Sequence, residues 1–166
     1  MARHIEHSAH YTHTVATLHA ALTDERYWQA RLQQVGGPGA TLDRVTVGDG
    51  TIDVAMTQSV PAEHLPSVVT KIRPGDLHIK RTESWGSLQG DRAQGTFSAE
   101  VEGAPGQLRG TMTLTADGDG SLLVMEGDVQ VNLPIFGGKV EGVIAGQVLE
   151  LLDAEEDFTG QWTTAT

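Results

Sequence analysis

The sequence predicts an α+β fold: a curved antiparallel sheet of about seven strands wrapped round a long C-terminal helix, with two short helices between the first and second strands. Three observations carry this. Period-two alternation dominates residues 40–131. The last segment carries apolar residues stepping by fours and threes, the spacing of one helix face. Glycine supplies 20 of 166 residues, about 12% against a typical ~7%, and the glycines punctuate the alternating segments rather than forming a tract.

The elements follow in order. Residues 3–11 alternate weakly, with Ile5, Ala9 and Tyr11 on one side, and read as a first strand. The period then changes: Val15, Leu18, His19 and Leu22 fall at helical spacing, with Thr14 as N-cap. A second short helix starts near Asp24 and carries Tyr27, Trp28, Arg31 and Leu32; Gly36-Gly37-Pro38-Gly39 stops it. Ile52, Val54 and Met56 share a strand face after a Gly48-Asp49-Gly50 turn. Pro61–Gly75 reads as a flap over one end of the sheet, in which Glu63–Ile72 holds a helical turn or extends a strand. Leu77–Trp85, Arg92–Val101, a strand through Leu108–Leu114, and Leu122–Val131 complete an antiparallel meander. Finally Val140, Ile144, Val148, Leu151, Glu155, Phe158 and Trp162 form one stripe from about Gly138 to Trp162, a rod of about 37 Å. Its outer face carries Glu141, Glu150, Asp153, Glu156 and Asp157.

Composition bounds the function. The length, residues 1–166, suits a single domain able to build its own core. A net charge of −11 repels nucleic acid and anionic membranes. Cysteine is absent, which excludes thiolate catalysis and zinc–thiolate sites. No signal-like apolar segment opens the sequence and no run reaches the length of a membrane span. The expectation is a cytoplasmic protein, a monomer or weak homodimer, without membrane insertion. No phosphate loop, dinucleotide fingerprint or Ser-His-Asp pattern is found, so no cofactor is expected.

Four places bear chemistry. Arg81, Glu83 and Trp85 share the face of Leu77 and Ile79 by period two. If that face is inward, two opposite charges enter the interior. Buried charges are costly unless paired, so Arg81 pairs with Glu83 or meets Glu155 on the helix stripe. Such a pair anchors a ligand's carboxylate or carbonyl, or acts as acid and base; alternatively the strand end is wet. Glu155 interrupts the apolar stripe, either as a pocket base with a raised pKa or at the stripe's edge, reaching water. His4, His7, His10 and His13 recur every three residues; on a strand they cannot converge, and they read as surface rings, with no metal site expected. Asp117–Ser121 has the flavour of a calcium loop but reads as a hairpin turn, because Leu122 stands where that loop needs glycine.

The inward positions of the strands include Gly95, Gly110 and Gly127. They permit curvature and close packing, or they leave volume unfilled and so create an apolar pocket between sheet and helix. Under the second reading Met56, Phe97, Met112, Met125, Ile144, Val148 and Phe158 line the pocket beside Arg81, Glu83 and Trp85.

The order of elements, with the segments His4–Ser8, Val35–Gly39, Arg73–Asp76, Arg81–Trp85, Gly95–Ala99, Gly110–Leu114 and Gly137–Glu141, resembles the helix-grip fold of the START-like (SRPBCC) superfamily, which includes pollen-allergen-like proteins and polyketide cyclases. It resembles more closely a bacterial family of unknown function within it. The pollen allergens' glycine-rich loop has no counterpart in this chain. The resemblance spans the chain and implies the fold; the superfamily hosts carriers, cyclases and structural modules, so function must come from the site. Three readings stand: a binding or carrier protein for a small lipophilic ligand held between sheet and helix, a cyclase or isomerase using Glu83 or Glu155 as catalytic base, and a structural or partner-binding module with a filled core.

Overall fold

Each alternating segment of the sequence forms a strand, and each change of period marks a helix. The computed structural model describes residues 2–72, 74–103, 105–135 and 137–165; Arg73, which opens the Arg73–Asp76 segment, lies outside them. Strand β1 (Ala2–Tyr11) is followed by helices α1 (Val15–Leu22) and α2 (Glu25–Val35), then β2 (Thr41–Val47) and β3 (Ile52–Val60). A 3-10 turn (Ala62–His64) and a short helix α3 (Ser67–Ile72) lead to β4 (Leu77–Trp85), β5 (Arg92–Val101), β6 (Gly106–Asp117) and β7 (Gly120–Val131). Helix α4 (Gly137–Ala165) ends the order. The seven strands pair antiparallel in the order β1-β7-β6-β5-β4-β3-β2, a meander closed by β1 against β7. No helix among the described residues is long and apolar enough to cross a membrane.

Local chemistry sets the boundaries. Thr14 Oγ1 accepts from Thr17 N at 3.2 Å and Asp24 Oδ1 from Arg26 N at 2.9 Å, the two side chains capping α1 and α2. Gly36 N donates to Leu32 O at 3.0 Å where α2 stops. The Asp117–Ser121 segment is the β6–β7 hairpin, with Asp117 opposite Gly120 and Gly118 at a positive φ of 58°. The segment that the sequence leaves between helix and strand is helical, so the flap over the sheet's end is α3.

One face of the sheet is buried against α1, α2 and α4. Ile52, Val54 and Met56 of β3, Trp85 of β4, Phe97 of β5, Met112 and Leu114 of β6, and Val129 of β7 all sit in this core. Tyr27 joins α2 to α4: its ring meets Phe158 at 5.8 Å and Trp162 at 5.4 Å, and its hydroxyl lies 2.5 Å from Thr159 Oγ1.

One expectation is corrected and one open alternative is decided. Glu141 belongs to the buried side of α4, at 2% exposure, not to its outer face. Its Oε2 accepts from Val131 N at 2.8 Å, so a carboxylate satisfies the backbone where the chain leaves the sheet for the helix. The second concerns the inward glycines. A Cβ on Gly110 would run into Glu126 O and stand 2.5 Å from Phe97 Cζ; one on Gly127 would stand 2.6 Å from Arg109 O and 3.0 Å from the same ring atom. The space those residues leave is filled by Phe97. They permit curvature and close contact, and no hollow results.

Candidate functional site

Strand β4 organises the interior. Along its inner face, two residues apart, it presents Leu77 and Ile79, then Arg81 and Glu83, then Trp85. The first pair lines a cavity, the second enters a buried ion cluster, and the last closes the core.

The ion cluster joins three elements. Arg31 comes from the buried face of α2, Arg81 and Glu83 from β4, and Glu155 from the apolar stripe of α4. Arg31 Nη2 donates to Glu83 Oε1 at 2.9 Å and to Glu155 Oε2 at 2.8 Å. Arg81 Nη2 donates to Glu83 Oε1 at 2.9 Å, and Arg81 Nη1 to Glu155 Oε2 at 2.9 Å. Two cations thus face two anions, and the cluster is neutral. Gln58 extends it: its Oε1 accepts from Arg81 Nη1 at 2.8 Å and its Nε2 donates to Gly36 O at 3.1 Å. The Trp28 ring covers Arg31, with its guanidinium carbon 4.5 Å from the ring centroid, a favourable seat for a buried cation.

Burial disfavours charge on every member, and pairing reverses the balance. Burial alone would push the Glu155 carboxyl up, but Arg31 and Arg81 outweigh it and hold its pKa below the ordinary value. Burial likewise opposes the Arg31 charge, and Glu155 and Glu83 hold that pKa well above the usual arginine value. A carboxylate held in this way is a weak proton acceptor, the opposite of the raised pKa expected for a pocket base. Tyr11 and Tyr27, packed nearby, are both pushed up, chiefly by burial.

The cavity lies at the other side of Gln58, under the flap. It has a volume of about 380 Å³, within the range of small-molecule sites. Its floor is the end of the sheet: Ser59 and Val60 of β3, Leu77 and Ile79 of β4, Val101 of β5 and Val131 of β7. Its roof is the first half of α4, through Val140, Ile144, Val148 and Leu151, and its lid contains Leu65, Pro66 and Val69 around α3. Gly36, Gly37 and Pro38, past the end of α2, form a side wall. Ile144, Val148 and Leu151 are only half-buried because the stripe passes over this void.

A second space, of about 30 Å³, lies among Tyr11, Tyr27, Arg31, Glu83, Trp85, Met112, Met125 and Glu155. It admits a water and nothing larger.

Of the ten ligand-binding positions expected from the sequence, Ile144 and Val148 line the large cavity. Glu83, Trp85, Met112 and Met125 line the water-sized space. Met56, Phe97 and Phe158 are core residues, and Arg81 is engaged by Glu83, Glu155 and Gln58. The strand period leaves two alternative partners for Arg81, Glu83 and Glu155; both pairings occur. Sequence reasoning misses Arg31 and Gln58 as members of the cluster. Arg31 stands on the periodic face of α2, and Gln58 continues the Ile52-Val54-Met56 alternation, so the pattern marks each as inward without giving it a role.

The four N-terminal histidines separate as a strand requires. His4 meets Asp128 at 3.3 Å and His10 meets Asp117 at 2.9 Å on the outer side; His13, past the strand, meets Thr164. His7 departs from the surface reading. It is half-buried facing α4, with Nε2 3.1 Å from Glu156 Oε1 and Nδ1 3.7 Å from Asp153 Oδ1. The two carboxylates engage opposite nitrogens of the ring.

Comparison with known proteins agrees with this architecture. The chain is 35% identical over 171 residues to the uncharacterised protein Rv0481c of Mycobacterium tuberculosis, covering 99% of this chain and 98% of that one. Among solved structures it resembles a START superfamily protein from Mycobacterium smegmatis (TM-score 0.54, 15% identity, 96% and 98% of the two chains). It also resembles TTHA0849 from Thermus thermophilus (TM-score 0.59, 14% identity, 95% and 97%) and Ara h 8.0201 (TM-score 0.57, 9% identity, 100% of each). At those identities the structural likeness shows the fold. Residues 6–163 match the model of a family described as protein of unknown function, DUF2505, and the chain belongs to that family, built on the START-like fold.

Proposed function

We propose that the protein binds a small lipophilic molecule in the cavity between the end of the sheet, α3 and the first half of α4, and acts as a carrier or sensor for it. The observation that carries this reading is the cavity itself: about 380 Å³ walled chiefly by valine, leucine, isoleucine and proline. Burying a ligand's apolar surface there contributes about 25 cal/mol per Å² before ordering costs. The ion cluster fixes α2, β4 and α4 around one end of the space and performs no proton transfer in this reading.

Binding of the neutral fluorophore N-phenylnaphthylamine tests it. Wild-type protein should enhance its fluorescence saturably, and Val148→Trp, which adds an indole to the cavity roof, should weaken binding by about tenfold or more while melting cooperatively. Native mass spectrometry of freshly purified protein should show a co-purified small molecule that the variant lacks. Equal binding by the folded variant would remove the cavity from consideration.

A further inference from the structure

We propose that this cavity selects uncharged lipophiles over their carboxylate counterparts, and that Gln58 sets the preference. The proposal rests on the ligand-binding reading above and names the class of ligand.

The argument begins with where charge lies. Arg81, which donates to the lining residue Gln58, and Arg31 beyond it are both engaged. Arg81 Nη1 has Gln58 Oε1 at 2.8 Å and Glu155 Oε2 at 2.9 Å; Arg81 Nη2 has Glu83 Oε1 at 2.9 Å and Glu155 Oε1 at 3.3 Å. Arg31 Nη2 bridges Glu83 and Glu155. A ligand carboxylate entering the cavity would therefore meet a cluster already neutral. Among the described residues of the cluster it would find no unpaired guanidinium. Burying a carboxylate without a counter-charge is strongly unfavourable.

The wall has the same character. Among the described residues it contains no Lys, Arg, Asp or Glu, and its polar side chains are Gln58, Ser59, His64 and Gln147. Ser59 Oγ is 3.1 Å from His78 Nδ1, and His64 Nε2 is 3.8 Å from Glu63. Such groups suit a hydroxyl or carbonyl at one end of an apolar body. The volume of about 380 Å³ is that of a small-molecule site and accommodates a ten-carbon alcohol.

Gln58 is the partition. It lines the cavity with its amide committed at both atoms, the oxygen to Arg81 and the nitrogen to Gly36 O. Shortening it would leave Arg81 Nη1 with Glu155 Oε2 as its partner and open a donor position toward the cavity, from which a ligand carboxylate could accept a hydrogen bond.

The matched pair n-decanol and decanoate tests this, each displacing N-phenylnaphthylamine at about pH 8, where decanoate is ionised. On the wild type, n-decanol should displace the fluorophore at a concentration about tenfold lower than decanoate. Gln58→Ala should reduce that ratio to about threefold or less by improving decanoate. Gln58→Asn, which keeps an amide but shortens its reach, serves where the alanine variant does not fold. Decanoate displacing as well as n-decanol from wild type would overturn the preference and leave the ligand-binding reading intact. An unchanged ratio in a folded Gln58 variant would overturn the role of Gln58. Absence of binding by the fluorophore and by both competitors would overturn the underlying reading instead.

Discussion

Glu155 ties α4 to the buried ion cluster, since both guanidinium groups donate to it as they do to Glu83. Replacing it by glutamine leaves two buried cations facing Glu83 alone. Removing one member of a buried ion pair costs about 3–5 kcal/mol, and Glu155→Gln should lose stability on that scale in urea titrations at neutral pH. The pH dependence gives the charge-specific signature. The folded pKa of Glu155 lies below its ordinary value of 4.5. Its contribution is therefore complete above 4.5 and lost as pH falls through the folded pKa. The gap between wild type and variant should be full near neutrality and shrink below that value. A gap of the same size in acid would mean that lost shape, rather than lost charge, explains the variant.

Among the elements, β4 and α4 show what periodicity can reveal and where it stops. Period two along Leu77–Trp85 puts Arg81 and Glu83 inward, and the stripe of α4 puts Glu155 opposite them, so most of the ion cluster is legible in the sequence. Arg31 and Gln58 are legible as inward residues but not as its members, because a face assignment does not say which element it meets. The position of the cavity escapes the pattern for a different reason. Period identifies the residues that face inward; it does not say whether neighbouring side chains reach across the gap. Phe97 does so over Gly110 and Gly127, while under α3 the sheet's end stays hollow. Polarity alone places Glu141 outward, and only the chain reversal after β7 supplies the Val131 N–H that makes its burial favourable. The glycines can be separated by experiment. Gly110→Ala forces its Cβ against backbone and the Phe97 ring and should cost about 1–3 kcal/mol. Gly146→Ala, on an exposed face of α4 with nothing within 4 Å of the new carbon, should stabilise the protein by about 0.5–1 kcal/mol. Equal effects in thermal melts would mean that Phe97 does not fill the space over Gly110.

At the scale of the whole molecule, α4 spans two regimes. Its second half is anchored by Leu152, Glu155, Phe158 and Thr159, all buried, with Glu155 tied to α2 and β4 and Thr159 to Tyr27. Its first half roofs the cavity, with Val143, Ile144, Val148 and Leu151 facing empty volume. Side chains beside a void forgo part of their packing contacts, and local stability follows the density of buried contact. The two halves should therefore open with different free energies although they belong to one helix. Amide hydrogen exchange followed by mass spectrometry should show residues 140–151 and the flap 62–72 exchanging faster than residues 152–163 in the unliganded protein. Adding n-decanol should slow the first two segments and leave the third nearly unchanged, because the ligand supplies the contacts that only the roof and lid lack. Uniform protection along α4, or slowing confined to its second half, would place the binding energy away from the cavity and against the division of labour along this helix.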